Sequence, residues 1–203
     1  KNLDQLDTSI KAYNKAVTIK PDHASAYYNM GISFKEQGKL EEAINSYRRA
    51  IAIKTDYFEA YNNMGNIFKD LNKPKEAIKA YNKALGIYPN GAETYYNCAT
   101  ILKEQNKLEE AIKAYKKAIA IKPDYFEAHN NLGNAFSHLG KPEEAMKAYN
   151  KALDIKPDDG DVIENSLSIA VQLCPTMVKY GRNFDSSATL VAPPLRHNSP
   201  LNL

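Results

Sequence analysis

Apolar and small residues recur along residues 24–53 at two successive helical stripes. Tyr27, Met30, Gly31 and Phe34 fall at i, i+3, i+4 and i+7, which predicts one helix from Ala24 to Gln37. After a break at Gly38, the residues Ala43, Ile44, Tyr47, Ala50 and Ile51 mark the inner face of a second helix from Leu40 to Ile53. The same pattern then begins again, and the interval is always 34 residues. Gly31, Gly65, Ala99 and Gly133 share one slot, and Ala43, Ala77, Ala111 and Ala145 share another. Tyr47, Tyr81, Tyr115 and Tyr149 form a third ladder, and Ala50, Ala84, Ala118 and Ala152 a fourth. Such phased ladders predict helix pairs, each too small to bury its own apolar face, stacked into one continuous array.

The residues between the stripes agree with this reading. Gly38, Asn72, Asn106 and Gly140 tolerate the left-handed backbone at which helices end. Pro74 and Pro142 open the following helices, where a missing N–H costs nothing. Pro89, Pro123 and Pro157 stop the second helix of their pairs, whereas Thr55 stands in that place once and leaves Asp56 to cap the next helix. Small residues in the Gly31 and Ala43 slots let paired helices approach closely. The tyrosine ladder is expected to fill the space between repeats.

Residues 24–57, 58–91, 92–125 and 126–159 form four full repeats. Residues 1–23 read as half of another, a second helix whose first-helix partner is missing, with Leu3, Leu6 and Ile10 uncovered on one side. This half is either a cut through a longer array or a native capping helix. Residues 160–174 form one further amphipathic helix, capped by Asp161 and expected to present a polar outer side. Residues 175–203, with Pro193-Pro194, Pro200 and no period, read as an extended tail.

The ladders resemble the tetratricopeptide repeat (TPR) family over Ala24 to Asp159. The resemblance implies an all-α, right-handed superhelical solenoid whose first helices line a concave, protein-binding groove. It also assigns the groove residues. Asn29, Asn63, Asn97 and Asn131 form an asparagine ladder, and Tyr28, Asn62, Tyr96 and Asn130 precede it by one residue. Asn66 and Asn134 stand three residues further on, and Lys35, Lys69 and Lys103 close the stripe. An amide offers an acceptor and two donors and so matches both halves of a peptide unit. The TPR half of O-linked N-acetylglucosamine transferases carries a similar ladder that holds substrate peptides. Chaperone-binding members clamp a terminal carboxylate with lysine where Glu59, Glu93 and Glu127 stand here, which disfavours an acidic tail as the partner.

A longer period lies inside the first. Lys-Glu-Gln-x-Lys-Leu-Glu-Glu-Ala-Ile starts at both Lys35 and Lys103, and Tyr-Phe-Glu-Ala-x-Asn-Asn at both Tyr57 and Tyr125. Alternate repeats are therefore alike, and the groove is expected to alternate in chemistry between Tyr28/Tyr96 and Asn62/Asn130.

Charge and composition narrow the function further. The net charge is +3, and residues 175–203 contribute Lys179, Arg182 and Arg196 against Asp185, so the repeats carry only about +1. No broad basic field speaks for nucleic acid. No apolar run reaches the ~18 residues of a membrane span. Cys98 and Cys174 form no framework, which points to a reducing, cytoplasmic setting. Four histidines, His23, His129, His138 and His197, have no zinc spacing, and neither a nucleotide loop nor a nucleophile elbow is present. Cys98 occupies the core slot of Met30, Met64 and Leu132 and reads as a small hydrophobe. No catalysis, metal or cofactor is expected. The reading is a scaffold that binds an extended peptide segment of a protein partner. Its alternatives are the substrate-recruiting arm of a larger enzyme such as a glycosyltransferase, or a homo-oligomer in which the tail, with Leu190, Val191, Leu195 and Leu201, docks in its own or a neighbour's groove.

Overall fold

The computed structural model describes residues 3–173, so Cys174 and the expected tail lie outside the described residues. Ten helices account for the regular structure there: α1 (Leu3–Ile19), α2 (Ala24–Glu36), α3 (Leu40–Ile53), α4 (Phe58–Asp70), α5 (Pro74–Ile87), α6 (Ala92–Glu104), α7 (Leu108–Ile121), α8 (Phe126–His138), α9 (Pro142–Ile155) and α10 (Gly160–Leu173). Helices pack mainly on their neighbours in sequence, and α4, α6 and α8 also touch one another in turn. The result is an all-α helical-repeat solenoid.

Each first helix of the four full repeats ends in the same backbone device. Gly38, Asn72, Asn106 and Gly140 adopt φ of 74°, 54°, 58° and 64°. The next N–H then turns back, Lys39 to the Phe34 carbonyl at 2.9 Å and Lys73 to that of Phe68 at 2.8 Å, with matching bonds from Lys107 and Lys141. This is the Schellman arrangement, which satisfies carbonyls that the helix end would otherwise strand. Starts are less regular. Asp56 does not cap α4: Tyr57 holds the N-cap position without a side-chain bond, and the Asp56 carbonyl instead accepts from the Phe58 N–H at 3.2 Å. Asp161 does not cap α10 either. It lies inside the first turn of the helix, and it is Asp159, two residues earlier, whose carboxylate accepts from the Val162 N–H at 3.1 Å.

The core runs the length of the array as a file of buried alanines and tyrosines. Tyr47, Tyr81 and Tyr115 are fully buried and Tyr149 nearly so. The rings of Tyr47, Tyr81 and Tyr149 lie on the glycine of their own repeat. A Cβ built on Gly31 would stand 2.6 Å from Tyr47, and one on Gly65 only 2.4 Å from Tyr81. Close approach of the paired helices thus depends on a glycine facing a ring.

The two ends differ from expectation. On α1, Leu6 and Ile10 are buried, leaving Leu3 exposed. The outer side of α10 is not polar, because Ile163, Leu167 and Val171 form an exposed stripe. Leu167 stands in the glycine slot, and no described helix covers it with a tyrosine.

One buried tyrosine lacks what its counterparts have. Tyr81 donates to Asn66 Oδ1 at 2.7 Å, Tyr149 to Asn134 Oδ1 at 2.8 Å, and Tyr115 to Thr100 Oγ1 at 3.3 Å. The same slot in the first repeat holds Ile32, and the buried Tyr47 hydroxyl has no partner. Nearby Asn63 spends its amide on Tyr28 instead. Leaving a buried hydroxyl unpaired forfeits the gain that justifies burying it. Tyr81→Phe is therefore expected to cost about 1 kcal/mol while Tyr47→Phe is neutral or slightly stabilising. Denaturant titration of both variants checks the contrast.

Candidate peptide groove

The first helices α2, α4, α6 and α8 place the expected groove residues in register, and the structure shows what each one touches. Asn63 Nδ2 donates to the Tyr28 hydroxyl at 3.2 Å, and Asn131 Nδ2 to the Tyr96 hydroxyl at 3.0 Å. Asn97, buried between them, donates instead to Asn66 Oδ1 at 3.3 Å. Lys69 reaches forward to Asn97 Oδ1 at 3.2 Å and Lys103 to Asn131 Oδ1 at 3.3 Å. An ammonium only donates, so these bonds fix which way each amide faces. The ladder members from Asn63 onward are thus bolted to the preceding repeat. Asn29 and Lys35 hold the corresponding positions on α2.

The longer period reappears as geometry. Tyr28 lies 4.9 Å from Tyr57 and 5.7 Å from Tyr47 between ring centroids. Sixty-eight residues on, Tyr96 lies 5.0 Å from Tyr125 and 5.9 Å from Tyr115. Lys54 sits over the Tyr57 ring at 4.7 Å and Lys122 over that of Tyr125 at 4.8 Å. Tyr57 and Tyr125 were not among the groove residues expected from sequence. They close the helix turn before α4 and α8, and their repetition within Tyr-Phe-Glu-Ala-x-Asn-Asn was the signal that pointed to them. A cavity of about 340 Å³ opens beside Tyr57, lined also by His23, Ser25 and Lys54.

Burial is the main cause that lifts the Tyr28 and Tyr96 hydroxyls above the ordinary phenol range, and the carboxylates of Glu59 and Glu127 push the same way. Tyr125 is pushed up to about 12, by burial first and then by Glu93 and Tyr96. These phenols stay protonated, hence donors, at neutral pH.

Between the two tyrosine sites the expected groove positions hold the amides Asn62 and Asn63. Asn62 Oδ1 accepts from Thr94 at 2.8 Å. Asn130 lacks this bond, since Val162 takes the place of Thr94 on α10, and its Oδ1 is buried without a partner.

Cys98, His129 and His23 have packing or capping roles. The Cys98 thiol is buried and pushed up to about 11, by burial and then by Glu110, which makes it inert as a nucleophile at neutral pH. His129 is buried and its Nε2 contacts the Pro123 carbonyl at 2.8 Å, while His23 Nδ1 accepts from the Ala26 N–H to cap α2. Among the described residues no cluster of His, Cys, Asp or Glu has metal-binding geometry, and no helix is long and apolar enough to cross a membrane.

A solenoid of stacked helix pairs is a protein-interaction scaffold in architecture. Family models agree: the model described as TPR repeat matches residues 3–38, 33–72 and 99–140, and that described as Tetratricopeptide repeat matches 58–90 and 126–159. The chain belongs to the tetratricopeptide repeat family. Solved structures of similar shape include MamA, at 28% identity and a TM-score of 0.71 over 75% of this chain and 89% of that one. Another is YrrB, described as a TPR protein with an unusual peptide-binding site, at 22% identity and a TM-score of 0.70 over 79% and 83%. MamA 41-end from Desulfovibrio magneticus RS-1 aligns at 17% identity with a TM-score of 0.68 over 76% and 88%. No curated protein sequence matches the chain.

Proposed function

We propose that this chain is a scaffold that binds an extended peptide segment of a protein partner in the concave face of α2, α4, α6 and α8. The observation that carries this reading is the state of the ladder: Asn63, Asn97 and Asn131 are each anchored to the preceding repeat through one N–H, and the half-buried Asn63 and Asn131 keep a second N–H for a ligand. Anchored amides lose little further freedom when a peptide arrives, and preorganisation of this kind raises affinity. An extended backbone supplies the matching carbonyls without constraint on its side chains.

The reading is tested with short peptides selected from a random display library on the immobilised full chain. Asn63→Ala, Asn97→Ala and Asn131→Ala combined should weaken their binding by tenfold or more, at roughly 1 kcal/mol for each lost bond. The same amides join neighbouring repeats, so affinity is compared at a temperature where circular dichroism shows both proteins fully helical. Unchanged affinity would remove the ladder from the binding surface.

A further inference from the structure

The near-neutral total of the repeats hides a segregation of charge on α1, α3, α5, α7 and α9. Lys15, Arg49, Lys83, Lys117 and Lys151 share one slot at the 34-residue interval, so each of these helices carries a cation there. Lys11, Lys79, Lys113 and Lys147 hold the slot four residues earlier, interrupted only by Asn45. Residues four apart lie on one helix face, and all of these cations are exposed. Each repeat stacks on the next in the same way, so equal slots line up and the two ladders form one row along the array.

Helix stability does not account for the row. Mid-helix cations gain nothing from the macrodipole, which acts within the first and last turns. Glu109 and Glu143 lie one turn before Lys113 and Lys147, yet neither pair closes into an ion pair. Among the described residues only Lys151 of the row forms one, with Asp154 at 3.0 Å, and Lys117 lies over the Tyr95 ring at 5.2 Å. The row is also bounded on both edges. Carboxylates precede it on each helix, among them Asp7, Glu41, Glu76, Glu109 and Glu143, and within or after it the helices carry only Asp154. At the far edge Lys54, Lys122 and Lys156 lie over the rings of Tyr57, Tyr125 and Phe126, and Asp56, Asp124 and Asp158 follow two residues on.

These limits select the occupant. The row is one helical turn wide, about 6 Å for a four-residue step, and it crosses all of these helices. A nucleic-acid duplex or a membrane surface is wider and would meet the flanking carboxylates as well. The tyrosines of α3, α5, α7 and α9 are buried, so the bases of a single strand find no ring there to stack on. A single polypeptide rich in Asp and Glu needs neither the width nor the rings. We propose that this exposed row binds an extended acidic segment of a protein partner, at a surface separate from the groove. The assignment goes beyond the groove-binding reading and does not depend on it, since Glu59, Glu93 and Glu127 repel such a segment from the groove.

The test titrates three probes against the full chain at about 50 mM salt, where screening is weak. They are a fluorescein-labelled decaglutamate peptide, a labelled oligothymidylate of equal length and phosphatidylserine vesicles. The peptide should bind more tightly than the other two. Arg49→Gln/Lys83→Gln/Lys113→Gln, which removes three exposed cations of the row, should weaken it about tenfold, each exposed ion pair supplying a factor of roughly two. Lys39→Gln/Lys107→Gln/Lys141→Gln removes the same charge from the residues before α3, α7 and α9 and should leave affinity within about twofold. Equal weakening by both variants means that the peptide reads net charge alone, and it overturns the row. Absence of peptide binding, or tighter binding of the oligothymidylate or the vesicles, overturns the acidic-segment assignment. Failure of the groove is read separately, because the triple asparagine variant should bind decaglutamate as the unaltered chain does.

Discussion

Gly65→Leu is expected to destabilise the array by about 3 kcal/mol, the upper range for forcing bulk into a packed core. The cause is local and rigid. A Cβ at that position would stand 2.4 Å from Tyr81, whose ring is buried and whose hydroxyl is held by Asn66 at 2.7 Å. The ring has nowhere to swing, so α4 and α5 must separate. Ala99 occupies the equivalent slot in the third repeat, where both it and Tyr115 are fully buried, so a single methyl is tolerated in that slot. Gly65→Ala should therefore cost much less than Gly65→Leu. The natural control is α10, where Leu167 already fills this slot and is 46% exposed. Leu167→Gly should cost only the roughly 1 kcal/mol that glycine loses within a helix. Urea titrations of the three variants give the ranking. Equal costs at Gly65 and Leu167 would mean that the glycine ladder is not a contact requirement.

Tyr115→Ala is expected to cost about 3–5 kcal/mol, as for other large aromatic side chains removed from a core. Tyr115 is fully buried, packs 5.9 Å from Tyr96 and donates to Thr100 at 3.3 Å. Because each repeat is held mainly by its neighbours, a defect in the third repeat should divide the array rather than lower its stability evenly. The expected result is a biphasic denaturant curve, with hydrogen exchange faster first in α6 and α7. Tyr115→Phe removes only the hydroxyl and should cost about 1 kcal/mol in a single transition. A monophasic loss in Tyr115→Ala would mean that the array folds as one unit.

Helix positions were legible in the sequence because they depend on local periodicity and on a few residues with special backbone freedom. Leu40–Ile53 emerged with the expected bounds, and Gly38, Asn72, Asn106 and Gly140 are all left-handed. Caps were less legible. Asp56 lies one residue before the N-cap of α4 and Asp161 two residues after that of α10, and a shift of that size decides whether a carboxylate meets an N–H. The groove residues were legible as a ladder of amides but not as partners. Tyr28 meets Asn63, 35 residues away, and Lys69 meets Asn97, 28 residues away. Bonds of that kind are set by how adjacent repeats stack, which no local pattern encodes.

The sequence by itself determined the repeat, its helices, their breaks and the buried ladders, since 34-residue periodicity and helical spacing leave little freedom. Only the tertiary structure decided how the ladder is used. It spends the amide oxygens on lysine, threonine, tyrosine and asparagine neighbours, sets Tyr57 and Tyr125 beside Tyr28 and Tyr96, and strands Tyr47 and Asn130. It also turned the outer side of α10 from an expected polar cap into an apolar stripe. The physical reason is common to all of these. A hydrogen bond or a ring contact requires two groups at the right distance, and in a solenoid that distance is fixed by the stacking of one repeat on the next.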